Sequence, residues 1–295
     1  MPKNSKNKLS NYIIIGLIIV LIAVVAVIFV KEQSSNKADN KAPQEEIANN
    51  NEITNEESIE KEKDRFEGLT LVNDNRGVPV LYYHSVEPSE ANEVIISPDK
   101  LREQLLFIKN SGYTTLTMAE LNDYILNDKA IPEKSIVVTF DDGYMDNYTN
   151  AFPILKELDM KATVFVITNG IDDGYYMSSA QLKEMSDYGL DIESHTYNHL
   201  HLNQLTYEKQ LEELKTSKEK LEAITGKTVI SVAYPFGDLN EDSKKAVKEA
   251  GYSLAFTTDL GYADKDDDPI TLDRIYVSST YTMDQFKNRL INIQK

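Results

Sequence analysis

The sequence predicts an α/β fold: a distorted (β/α) barrel, closed or nearly so, carried behind an apolar N-terminal segment and a polar tether. Three observations lead there. From Val78 onward, short β-type runs alternate with stretches of helical period, and strands separated by helices pair in parallel through right-handed crossovers. So many units in one stretch favour closure into a barrel. Polar side chains, namely His84, Asp141, Asp142 and His195, fall where β-type runs end, the face on which such barrels carry their sites. Finally, Tyr12 to Val30 is uncharged and almost wholly apolar, long enough to cross a bilayer.

The chain has 295 residues and 41% hydrophobic content, enough for one large domain or two small ones. A net charge of −17 with no basic segment excludes a nucleic-acid partner, because phosphate binding needs clustered Lys and Arg. The absence of cysteine excludes disulfides, thiolate metal sites and a cysteine nucleophile.

Residues 1–11 carry Lys3, Lys6 and Lys8, which by the positive-inside rule place them in the cytoplasm. Residues 12–30 are expected to be an uncleaved transmembrane helix, since the run ends Ile28-Phe29-Val30-Lys31 without a small-residue cleavage site. Residues 31–65, rich in Asn, Glu, Lys and Ser with no apolar period, read as a flexible linker. The folded domain is expected over 66–295, outside the cell on a single-pass membrane anchor.

The first β-type run is Val78 to Tyr83, ending on His84. Ser97-Pro98 starts a helix with Leu101, Leu105, Leu106 and Ile108 at helical spacing, closed by Gly112. Tyr113 to Leu116 is a short β-type run, and Thr117 caps a helix carrying Leu121, Tyr124 and Ile125. Ile136 to Phe140 is a strand ending at Asp141-Asp142-Gly143. Tyr148 to Leu158 reads as a helix, Ala162 to Ile167 as a buried strand, Ser179 to Met185 as a helix and Leu190 to Ser194 as a strand ending at His195. The longest helix runs from Tyr207 to Ile224 between Thr206 and Gly226. Val229 to Ala233 is a strand, Asn240 opens a helix to Ala250, and Tyr252 to Phe256 and Ile270 to Val277 are strands. Thr282 to Ile293 is the last helix.

Two adjacent carboxylates at a buried strand end are costly unless a cation or a proton takes up the charge. Alone, Asp141-Asp142-Gly143 also reads as a solvated turn. His195-Thr196-Tyr197-Asn198-His199 shifts the balance: two imidazoles spaced H-x3-H, with one carboxylate, form a set that holds a metal and leaves positions open.

These residues resemble the polysaccharide deacetylases of carbohydrate esterase family 4, the NodB homology domain. The family motif T-F-D-D-G appears as Thr139-Phe140-Asp141-Asp142-Gly143, and H-[ST]-x-x-H as His195-Thr196-Tyr197-Asn198-His199. The resemblance covers Val78 to the C-terminus and implies a distorted β/α barrel of the NodB type. It implies that Asp141 is the general base and that Asp142, His195 and His199 hold one divalent metal ion, usually Zn2+. The third motif, R-P-P-[YF]-G, is matched only at its end by Ala233-Tyr234-Pro235-Phe236-Gly237, with Ala233 in the arginine position. Arg274, on a late strand, is a candidate source of that charge, and the backbone N–H of Phe236 a candidate oxyanion donor. No histidine follows His201, so the family's late general acid is absent. The run Pro79 to His84 is similar to the branch in which this motif is displaced to the first strand, as in poly-N-acetylglucosamine deacetylases, which makes His84 the candidate acid. His201 matches no motif and reads as structural.

The implied substrate is an N-acetylated polysaccharide. Tyr144, Tyr197 and Tyr234 are candidates to stack on sugar faces, although with 17 tyrosines and no tryptophan each has an equal reading as packing. An O-acetyl esterase of the same fold and a weakly active or non-catalytic binding module are the alternatives. Glycoside hydrolysis fits less well, since its carboxylates stand apart across a sugar.

Overall fold

The computed structural model describes residues 65–291. Seven parallel strands close into a barrel: β1 (Val80–Tyr83), β2 (Ser135–Phe140), β3 (Thr163–Val166), β4 (Asp191–Ser194), β5 (Ser231–Ala233), β6 (Leu254–Leu260) and β7 (Leu272–Tyr276). Neighbours follow chain order from β2 to β7. The ring closes because β1 pairs with both β7, Ile275 opposite Leu81, and β2, Leu81 opposite Val138. Helices α1 (Pro98–Asn110), α2 (Met118–Leu126), α3 (Phe152–Leu158), α4 (Ser179–Tyr188), α5 (Tyr207–Thr225), α6 (Glu241–Glu249) and α7 (Met283–Ile291) connect or follow the strands. Of two short outlying pairs, Leu71–Val72 with Ile131–Pro132 runs antiparallel and Ser85–Val86 with Ile95–Ile96 runs parallel.

Strand alternation sorts the apolar side chains into two cores. Leu81, Val138, Val164, Val232, Ala255 and Ile275 face the helices and pack with residues such as Leu101, Leu155 and Leu221. Val80, Val137, Phe165, Ala233, Phe256 and Leu272 form the second cluster, on the opposite parity. Each Val, Leu, Ile or Phe side chain among these taken fully from water contributes about 1.5–3 kcal/mol. Local caps agree with the sequence: Thr117 and Asn240 form reciprocal capping boxes, Thr206 caps α5, and Gly226 ends it in the left-handed conformation.

Several elements depart from expectation for identifiable reasons. The helix expected from Tyr148 starts as a wide π-type turn over Asn147–Ala151, and regular α3 begins beside Pro153, which has no N–H for the preceding turn. The strand expected from Val229 begins at Ser231, because the backbone N–H groups of Ile230 and Ser231 donate to the Glu193 carboxylate at 2.9 and 2.6 Å. Strand β6 starts later than Tyr252 and runs on to Leu260; its end from Thr258 is exposed and so carries no apolar signal.

The expected membrane localisation is corrected: among the described residues no helix is long and apolar enough to cross a membrane. The run 12–30 on which that expectation rested, its flank 1–11 and linker residues 31–64 lie outside the described residues.

Candidate active site

The site is built at the C-terminal mouth of the barrel. On β2, Val137, Thr139 and Asp141 share the inward parity, so the first acid of the pair points into the barrel mouth. Asp142 (φ 74°) and Gly143 (φ 78°) are both left-handed, and this double turn brings the second acid round to the same mouth. Glycine is required at 143, because an added Cβ would lie 3.1 Å from Val166 Cγ1 and 3.3 Å from Val166 Cα.

Arg274, also inward on β7, is fully buried and meets Asp141 with two parallel bonds, Nη1 to Oδ1 at 2.8 Å and Nη2 to Oδ2 at 2.9 Å. Its Nε donates to the Thr257 carbonyl at 2.9 Å, and its guanidinium lies 4.2 Å from the Tyr82 ring centroid. Burial pushes the Asp141 carboxyl up, but the charge of Arg274, joined by His195, outweighs this and holds it below the usual range.

His195 follows β4, and its Nδ1–H donates to the Ala233 carbonyl at 2.8 Å. That bond fixes the ring and leaves Nε2 facing Asp142 Oδ1 at 3.4 Å; His199 Nε2 faces the same oxygen at 3.5 Å. Burial pushes the Asp142 carboxyl up, but the neighbouring imidazoles, His195 foremost, together outweigh it and leave the carboxyl lowered. Burial would lower His195 too, but Asp142 and Asp141 raise it; burial and the neighbouring His195 push His199 down to about 4. The loop between the imidazoles is braced by Glu213, whose carboxylate accepts from Asn198 N and Nδ2 at 2.7 and 2.6 Å.

Asp142, His195 and His199 fit a divalent cation. Their ligand atoms lie within 4.8 Å of one another, and buried Asp142 Oδ1 has no hydrogen-bond partner among the described residues. Two imidazoles and a carboxylate leave coordination positions open for water and substrate.

His84 follows β1, packed edge-on against Tyr82 and Tyr276, with ring centroids 5.9 and 6.4 Å away. Its Nδ1 is buried without a partner among the described residues. The His84 carbonyl accepts from Asn147 Nδ2 at 2.8 Å, and buried Asp146 ties down the next residues through Ser85 Oγ at 2.7 Å and Val86 N at 2.8 Å. Phe236 stands on the loop after β5, half exposed and left-handed at φ 61°.

Among the tyrosines, Tyr144 stacks on Tyr176 at 5.5 Å, and burial beside the Asp142 charge pushes its hydroxyl pKa up. Tyr197 is half-buried on the histidine loop. Tyr234 is corrected as a stacking candidate: it is fully buried and its hydroxyl donates to the Ile270 carbonyl at 3.1 Å, so its ring offers no face to a sugar. Sequence reasoning missed Asp146, Tyr175, Tyr176 and Asp238. Only the adjacent aromatic pair Tyr175-Tyr176 stood out in the sequence; its packing on Tyr144 is a tertiary contact.

The sequence profile described as polysaccharide deacetylase matches residues 128–255. YxkH of Bacillus subtilis strain 168, whose name assigns it provisionally to the polysaccharide deacetylases, is 34% identical over 247 residues, covering 84% of this chain and 85% of that protein. The solved structure of Streptococcus pyogenes deacetylase PplD in complex with acetate superposes with a TM-score of 0.69 at 32% identity, over 74% of this chain and all but 1% of the other, that is 99% of it. The chain belongs to the polysaccharide deacetylase family. Its barrel is of the NodB type, as in carbohydrate esterase family 4. A Staphylococcus epidermidis protein named poly-beta-1,6-N-acetyl-D-glucosamine N-deacetylase is 31% identical over 204 residues, 64% of this chain and 70% of that one. In this deacetylase-family chain, His84 and Arg274 lie outside the matched span 128–255, yet the barrel brings their strands together, since β1 and β7 are neighbours.

Proposed function

We propose that this chain is a metal-dependent hydrolase that removes N-acetyl groups from N-acetylglucosamine units of a polysaccharide, with zinc as the ion. The observation that carries it is the grouping of Asp142, His195 and His199 beside a separate, buried carboxylate, Asp141, that Arg274 keeps ionised. One acid then serves as ligand and its neighbour stays free for proton transfer.

When bound, the ion supplies Lewis acidity, polarising the acetyl carbonyl and acidifying water. Asp141 accepts the proton of the attacking water, a task for which an ionised acceptor is needed. The N–H of Phe236 donates to the carbonyl oxygen as negative charge builds there. His84 passes a proton to the amine nitrogen as the C–N bond breaks, so that acetate and a free amine leave. Tyr144, beside Asp142, and Tyr197 are the remaining candidates to border the sugar. The name of the staphylococcal relative and the first-strand position of His84 support a β-1,6-linked N-acetylglucosamine polymer over an O-acetylated xylan.

Acetate release from β-1,6-linked N-acetylglucosamine oligomers and from acetylated xylan, before and after chelation and zinc add-back, tests this. Release from the glucosamine oligomers, lost on chelation and restored by zinc, is expected. Release that survives thorough metal removal, or that comes from xylan alone, overturns it.

A further inference from the structure

Phe236 adopts a backbone conformation that an aromatic residue rarely takes. At φ 61° and ψ 3° it costs about 1–2 kcal/mol relative to a right-handed residue, and something must hold it. Burial does not, because the side chain is 52% exposed. A turn bond from Gly237 N to the Tyr234 carbonyl at 3.0 Å is compatible with this conformation, and a stack of rings braces the side chain: His201 lies parallel to it at 4.0 Å with planes 16° apart, and His199 meets it edge-on at 4.5 Å.

The outer ring of that stack is itself fixed. His201 Nδ1 donates to Asp238 Oδ2 at 2.6 Å, and Asp238 is only two residues beyond Phe236. Phe236, His201 and Asp238 thus form a closed circuit that joins the loop after β4, which bears His199, to the loop after β5. A second tie runs alongside, from Asn240 Nδ2 to the Asn203 carbonyl at 3.2 Å.

We infer that His201, held by Asp238, is a positioning residue that clamps Phe236 in its left-handed conformation and so sets the direction of the Phe236 N–H toward the reacting carbonyl. The effect on rate rests on the assignment of that N–H as oxyanion donor. The clamp itself rests only on the ring stack and the carboxylate bond. His201 touches neither substrate nor metal in this scheme; it acts through Phe236.

The test uses His201→Ala, which removes ring and bond, and His201→Phe, which keeps a ring and drops the bond. For each, the crystal structure gives the Phe236 φ, zinc content is measured directly, and kcat and KM are determined with β-1,6-linked N-acetylglucosamine oligomers. In His201→Ala, Phe236 is expected to relax to negative φ with zinc retained, kcat to fall about 10²-fold and KM to change by less than about 3-fold, the signature of a lost transition-state contact. His201→Phe is expected to recover part of the rate. Phe236 remaining near φ 61° in His201→Ala overturns the clamp. A relaxed Phe236 with unchanged kcat upholds the clamp and overturns the donor assignment instead, which separates the two.

Discussion

Replacing Arg274 with methionine removes the charge from a completely buried ion pair while keeping most of the side chain's volume. In the native chain Arg274 and Asp141 are 0% and 3% exposed, and the guanidinium also bonds the Thr257 carbonyl. Removing one partner strands a carboxylate in the barrel, at a cost of about 3–5 kcal/mol. The pH dependence follows from the Asp141 shift. Its native pKa lies below the ordinary 3.8, so the pair's stabilisation is complete above about pH 4 and is lost as pH falls through the native value. In Arg274→Met the largest remaining influence is burial, which raises the carboxyl, so the variant is penalised while Asp141 is ionised and recovers as it protonates. Urea unfolding of metal-free protein should therefore show a deficit of about 3–5 kcal/mol at pH 8 that shrinks at pH 5, and Arg274→Met with Asp141→Leu should recover much of it. Acetate release should fall as well, since a protonated Asp141 accepts nothing. A pH 8 deficit below about 1 kcal/mol, or one equal at both pH values, would falsify this view of the pair.

Three further outcomes are expected. His84→Ala should lower kcat by about 10²-fold or more, with thermal stability and zinc content near native, as for loss of a general acid; an unchanged kcat removes it from the reaction. Tyr234→Phe should cost about 1 kcal/mol in denaturant unfolding through loss of the bond to the Ile270 carbonyl, with KM unchanged, whereas a raised KM would return Tyr234 to the sugar. Gly143→Ala should destabilise by about 2 kcal/mol or more in thermal unfolding, because φ 78° and the backbone of Val166 both oppose a Cβ; a native melting temperature would show that the turn has slack.

What the sequence conveyed best was position along the barrel axis. A β-type run that ends on a charged residue puts that residue at the mouth, and His84, Asp141, Asp142 and His195 all stand there. Arg274 was legible for the same reason, as a lone cation on a late strand whose inward parity with Leu272 leads it to Asp141. Position around the axis was harder to see. Tyr234 sits one residue past β5 with the parity that turns away from the mouth, and neighbouring Phe236 projects outward only because its φ is positive, which no propensity announces. His201 carried no visible role in the sequence because its partners, Phe236 and Asp238, are more than thirty residues away and meet it through a loop conformation, not a period. The early start of β6 failed for another reason: Tyr252 and Ser253 carry a strand-like pattern, but Ser253 N donates to the Ile230 carbonyl before the ladder begins. The Glu193 carboxylate likewise takes over backbone groups that a ladder would otherwise use, and no run of β-formers reveals that.

The most direct measurement is the anomalous X-ray signal of crystals grown with zinc. One zinc ion is expected within about 2.0–2.2 Å of His195 Nε2, His199 Nε2 and an Asp142 oxygen, with Asp141 outside the coordination shell and still paired to Arg274. Zinc bound elsewhere, or Asp141 taking the place of Asp142 as ligand, would contradict the division of labour between the two acids.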